Sequence, residues 1–282
     1  MSVAIITDST VSFPNPVFPG RELVHILSPG WQPALPAGVE RLKASSFPPT
    51  LRHTANGAAP RLLPPRAADL EALYRQLGQS HDGVLVLLHS NHFSPVEEEA
   101  QAAAGAVHGK VAVRVLDSLN ISLGLGLLVQ AAAAASAAGM PLAELDLHVR
   151  GLLPRVFGML CVPGLSYLER TGQINHSQAV VGEYLEILQV FTLDSGQLVP
   201  TQKARNPRQL VDVMHEFLSE FTDLSHIALL QGAPAFEAET RALRERLAEE
   251  GHTTPISEQI INAPLASFIG PRSLGLFAIR AS

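Results

Sequence analysis

The sequence predicts an α/β fold in two domains, the first built on a parallel sheet. Three observations carry this. Short apolar runs alternate with helical patterns from Val3 to Leu116, as in a parallel sheet covered on both faces. Connectivity changes after Pro154, where a hairpin signal appears at Asp194, Ser195 and Gly196. The chain has 282 residues, 46% hydrophobic and 16% charged, enough for two cores.

Taken in order, Val3 to Thr7 is a β-branched run ending in Asp8 and Ser9, a buried strand opening into a polar loop. Pro29 to Pro65 is proline-rich with little periodicity and reads as an excursion covering a surface. Asp69 to Gln76 is helical, Gly83 to Leu88 is a strand, Ser94 caps a helix through Gly105, and Val111 to Leu116 is a strand ending at Asp117 and Ser118. Ligands of parallel sheets bind beyond the strand carboxyl ends. Asp8, Ser90, Ser94 and Asp117 all fall there.

Leu119 to Gly139 has the length of a membrane span, but Asn120, Ser122, Gln130 and a run of alanines make a buried core helix the better reading. Gly151 to Pro154 breaks the chain, which sets the expected domains at 1–154 and 155–282. The second begins with a strand at Val156 to Val162 and helical segments at Leu165 to Arg170 and Ser177 to Tyr184. The hairpin at Glu186 to Gln202 and a helix at Pro207 to Phe221 come next. Strand, helix, strand and strand close it at His226 to Gln231, Glu237 to Glu249, Pro255 to Ile261 and Leu274 to Ile279.

Composition removes several function classes. Net charge is -6 and the lysines are only Lys43, Lys110 and Lys203, so no electrostatic footprint for nucleic acid is visible. Cys161 stands alone, which excludes an internal disulfide and fits a reducing cytoplasm. The first ten residues do not read as a signal peptide. There is no Gly-x-Ser-x-Gly elbow, and Gly105 to Lys110 is one residue short of a phosphate loop.

The polar residues at the sheet edge permit two readings. Asp8 and Ser9, with Ser94, His89 and His92, could serve an enzyme if a base and an oxyanion site were in reach. They could equally be loop residues bonding their own backbone. His89 and His92 could offer two imidazoles to a metal, but no third ligand is identifiable. Spacing alone favours the structural reading.

A set of ordered motifs adds to this. Thr7, Asp8, Ser9 and Thr10 open the chain; Asp117, Ser118, Ser122, Gly124 and Gly126 follow; then Tyr167, Leu168, Gly172 and Ile174. Gly196, Pro200, Lys203 and Arg205 come next, and Gly270, Pro271, Leu274 and Gly275 close the series. In order and spacing the sequence resembles the DegV family. That resemblance implies a parallel-sheet α/β/α domain joined to a second α/β domain with a mixed sheet. It also implies a tunnel between them for a long-chain fatty acid or related acyl lipid. The family acts as a non-catalytic carrier without a cofactor of its own, presenting its ligand to a separate fatty acid kinase subunit in bacteria that have one.

The same resemblance points to ligand-binding positions. Ser94 and Ser90 match family hydroxyls, with Asn91 beside them. A family carboxylate-binding segment falls on Leu62, Leu63, Pro64, Pro65 and Arg66, where both hydroxyls are replaced. A family histidine falls on Phe268, an arginine on Gln173, and a Lys-Pro pair on Leu188 and Gln189. Asp8, Ser9 and Ser118 complete the expected site. Three ligand states fit: a fatty acid held through Ser94 with Arg66, Asn91 or a histidine; a lipid with a neutral or different head; or a relative without lipid. The exchanges at Phe268 and Gln173 predict weak support of a kinase.

Overall fold

A computed structural model describes residues 2–28, 30–32, 61–184 and 188–281. Most of the proline-rich excursion lies outside them. Within it, strands β3 (Gly30–Gln32) and β4 (Arg61–Leu63) pair antiparallel, with Trp31 opposite Leu62.

The parallel sheet contains β1 (Val3–Thr7), β2 (Val24–Ile26), β5 (Gly83–Leu88) and β6 (Val113–Asp117), in the order β2-β1-β5-β6. Every residue of β1 and β5 is buried, which explains why both read as continuous apolar runs rather than alternating ones. Helices α1 (Ala67–Leu77) and α2 (Val96–Ala106) cover one face, packing Leu70, Tyr74 and Ala100 on Ile6, Val84 and Val86. Helix α3 (Ser122–Ala137) and helix α4 (Leu142–Leu152) cover the other.

Helix α3 explains the long apolar run. It lies against β1 and β5 and also against three strands of a second sheet, so its first eight residues, Ser122 to Val129, are all buried. Ser136 fixes its far end, its Oγ accepting from the N–H of Val3 (2.9 Å) and donating to the Val3 carbonyl (2.8 Å). Among the described residues no helix is long and apolar enough to cross a membrane.

The second sheet is mixed, with strands β7 (Val156–Val162), β8 (Leu188–Asp194), β9 (Gln197–Ala204), β10 (Leu224–Gln231), β11 (Ile256–Ile260) and β12 (Leu274–Arg280). The order is β11-β10-β12-β7-β8-β9, and the β10–β11 pair is parallel while the others are antiparallel. Helices α7 (Pro207–Ser219) and α8 (Glu237–Glu249) pack one face through Leu210, Met214, Phe217, Leu243 and Leu247. Toward the parallel sheet lie α3 and three shorter helices, α5 (Ser166–Arg170), α6 (His176–Tyr184) and α9 (Ala263–Ile269).

Several expectations change in detail. Gly151 lies inside α4, and the break is a 3-10 turn over Leu153–Arg155. Helix α9 falls where the sequence offered only a strand-to-strand connection, and its Asn262 accepts the Leu265 N–H as cap (2.9 Å). Strand β2 is an unanticipated fourth parallel strand. Ser94 does not cap α2; that position is Pro95, and the Ser94 side chain turns elsewhere.

Candidate ligand site

The strand order places a topological switch point between β1 and β5, because the chain leaves β1 to one side for β2 and returns on the other for β5. Clefts of open parallel sheets form at the carboxyl ends of such strands. Thr7 pairs with Leu87 across this junction, so Asp8 and His89 emerge side by side. A cleft opens there. Asp8, Ser9, His89 and Ser94 supply its polar lining, and Leu62, Leu63, Pro64 and Pro65 an apolar wall. Leu27, Ser28 and Val96 complete it.

Asp8 is buried and heavily hydrogen-bonded. Its Oδ1 accepts from Thr10 twice, from the N–H (2.9 Å) and from Oγ1 (2.6 Å). Its Oδ2 accepts the backbone N–H of His89 (2.6 Å). The same oxygen lies 3.0 Å from His89 Nδ1, an ion-pair contact off the line of a hydrogen bond. Burial pushes the Asp8 carboxyl up, but the His89 charge and the bonds from His89 and Thr10 outweigh it and hold it at about 2. Asp8 is therefore ionised at neutral pH.

His89 extends this chain outward. Its ring is 2% exposed, and its Nε2 is 2.8 Å from Ser94 Oγ. The result is a continuous line, Asp8 to His89 to Ser94, ending in the cleft. Phe268 packs its ring tilted against that of His89, 5.6 Å between centroids, and edge-on to that of Phe93 at 5.8 Å. Leu62, Phe93 and Phe268 belong to one apolar cluster with Ile121, Leu165 and Phe191, so apolar interior begins directly behind the polar end.

The other expected residues fall elsewhere. Ser90 is buried, with its Oγ accepting the His92 N–H (3.3 Å). Asn91 is exposed and donates its N–H to Asp117 Oδ2 (3.1 Å). Ser118 is consumed by Asn120, accepting its N–H and donating to its carbonyl, both at 3.1 Å. Arg66 lies outside the cleft lining and makes a two-pronged pair with Asp69, both contacts 2.9 Å, on the surface. Among the described residues, no cluster of three His, Cys, Asp or Glu could hold a metal.

Groups from the β8–β9 hairpin, the segment after α5 and the start of α9 close over this region. The β8–β9 turn uses Ser195 and Gly196, with φ of 50° and 83°, as a two-residue hairpin of this type requires. Gly196 rests on Ser90 and Leu119 so closely that a Cβ would collide with Ser90 Oγ. Gln173 donates to the His92 carbonyl (2.6 Å), and Gln197 Nε2 meets His92 Nε2 at 3.3 Å. Asn262 Nδ2 reaches the carbonyls of Ser9, Thr10 and Val11 at 3.3, 3.3 and 3.1 Å, tying the β1 loop to α9.

Fold and cleft together define an α/β protein with a parallel and a mixed sheet and a cleft at the switch point of the parallel one. The family model described as "Uncharacterised protein, DegV family" matches residues 42–281, and the chain belongs to the DegV family. Protein DegV of Bacillus subtilis is 24% identical over 282 residues, covering 98% of each chain. A fatty-acid-binding DegV family protein from Thermus thermophilus superposes with a TM-score of 0.82 at 25% identity, covering 100% of both chains. The Streptococcus pneumoniae fatty acid kinase (Fak) B3 protein, loaded with linoleic acid, gives a TM-score of 0.80 at 17% identity over 100% of both.

Proposed function

We propose that this protein is a non-catalytic carrier of a long-chain acyl lipid, its head group at Ser94 and His89 and its chain in the apolar interior between the two sheets. The observation that carries this is the junction of a polar end, Asp8–His89–Ser94, with the apolar cluster of Leu62, Phe93 and Phe268. The fatty-acid-binding relatives of the same fold support it. In this reading the two sheets belong to two domains meeting near Pro154, and the single buried cysteine, Cys161, suits the cytoplasm.

The energetics suit a carrier. Each buried CH₂ contributes about 0.8 kcal/mol, so a long chain supplies affinity while the head supplies identity. A buried head must be hydrogen-bonded, since an unpaired one costs several kcal/mol. The Leu62 and Leu63 side chains offer no donor at the wall, which leaves Ser94, backed by His89, with Ser9 and Ser28 beside it, to receive the head.

Lipid extracted from the denatured protein and read by mass spectrometry is expected to contain a long-chain acyl species. A protein without such lipid and unable to take up labelled fatty acid would overturn the reading. With Phe268 and Gln173 in place of a cationic mouth, a fatty acid kinase subunit from the same cell is expected to phosphorylate the bound acid poorly. Acyl-phosphate formation at ordinary efficiency would contradict that expectation.

A further inference from the structure

The short contacts of Asp8 with His89 and of His89 with Ser94 fix where their protons sit. An ionised Asp8 oxygen 3.0 Å from His89 Nδ1 requires a proton on that nitrogen, because a carboxylate facing a bare ring lone pair would be repelled. In neutral His89 the proton on Nδ1 leaves Nε2 bare. Ser94 Oγ, 2.8 Å away, must then donate its only proton to Nε2. What Ser94 shows to the cleft in that state is lone pairs. It accepts but cannot donate.

An anionic carboxylate cannot bind such a group. It also meets a second obstacle, the Asp8 charge in the same cleft, since two carboxylates around one neutral imidazole repel. No other cation answers it among the described lining residues, Arg66 being held outside by Asp69. The remaining groups that face His89 do not titrate: Ser94 on its own loop, and Phe268 from α9. Asp117, at the end of β6, is engaged by the N–H groups of Asn91 and Leu119. His92 points to Gln197.

We propose that a fatty acid enters this site together with one proton, which His89 and the ligand's carboxyl hold between them, whereas a donating neutral head such as a fatty alcohol enters without one. Placed on Nε2, the proton makes His89 donate to Ser94 and frees the Ser94 O–H for the carboxylate. Placed on the ligand, it lets the acid donate to the Ser94 lone pairs. Either placement carries the same single proton. The inference rests on the acyl-lipid reading and makes His89 the residue that selects head-group polarity.

The test is calorimetric titration of the intact protein at pH 8 with a C16 fatty acid and the matching C16 alcohol, each in two buffers of different ionisation heat. One proton taken up per fatty acid and none per alcohol is the expected result. Wherever one proton is taken up per fatty acid bound, its affinity should weaken about tenfold per pH unit of rise while alcohol affinity stays level. His89→Leu combined with Asp8→Asn, which frees the Ser94 hydroxyl and removes the competing charge, should remove the proton uptake. Fatty acid bound with no proton, at an affinity level from pH 6 to 9, would overturn the inference and leave the carrier reading standing. If neither head binds at any pH, the carrier reading itself fails and takes this inference with it.

Discussion

Asp8 and His89 are joined through a single oxygen: Asp8 Oδ2 accepts the His89 backbone N–H at 2.6 Å and lies 3.0 Å from the His89 ring. This link crosses the β1–β5 junction and commits a buried charge to the folded state. Its carboxyl is held at about 2, below the ordinary 3.8, so its contribution is full above about pH 4 and is lost as pH falls toward 2. The shift corresponds to about 2 kcal/mol. Chemical denaturation at pH 5 and pH 2.5 should show the wild type losing about that much more than Asp8→Asn. Equal losses would remove Asp8 from the acid response.

Asn262 serves two elements at once, capping α9 through Oδ1 and holding the Ser9 to Val11 carbonyls through Nδ2. Asn262→Ala should cost about 1–2 kcal/mol, mostly from the lost cap. Thermal melting is the check, with a fall of about 2–4 °C per kcal/mol expected. An unchanged melting temperature would show that the bonds do not contribute.

Phe268 is buried against His89 and Phe93. Replacing it with alanine should destabilise the fold by about 3–5 kcal/mol and open apolar room behind the polar end. Phe268→Leu, a milder change, should shift the bound lipids toward longer or bulkier chains. Comparison of lipids extracted from the two proteins by mass spectrometry decides it; an identical profile from the leucine variant argues against Phe268 as part of the chain's wall.

Gln173 clamps the loop that carries Ser94, through the His92 carbonyl at 2.6 Å. Gln173→Ala should cost about 1 kcal/mol and speed hydrogen exchange of amides 90–94 more than elsewhere. Uniform exchange would place the clamp outside the site's dynamics.

Much of the scaffold is legible in the sequence because its strands are apolar runs closed by Asp, Ser or Gly: β1 before Asp8, β5 from Gly83, β7 at Val156–Val162. Helix α9 was not, since a seven-residue segment containing Pro264 is too short to show helical periodicity. Three-residue β2 is a product of its parallel pairing with β1, with little local signal of its own. At the cleft, Asp8, Ser9, Leu62, Leu63 and Ser94 are among the lining residues. Ser90 and Ser118 share their residue types yet spend their hydroxyls on local turns, a difference set by backbone geometry. His89 read as one of two loop histidines. Its role depends on β1 lying beside β5, a long-range pairing that no local pattern encodes.

Binding of an acyl lipid with its head at Ser94, backed by His89, is tested most directly by a long-chain fatty acid carrying a photoreactive diazirine near its carboxyl, bound to the intact protein, irradiated and mapped by peptide mass spectrometry. The label should fall on residues 62–65 and 89–94, and an excess of unlabelled fatty acid should remove it. Labelling confined to the outer surface of the mixed sheet, or labelling that competitor leaves unchanged, would contradict the claim.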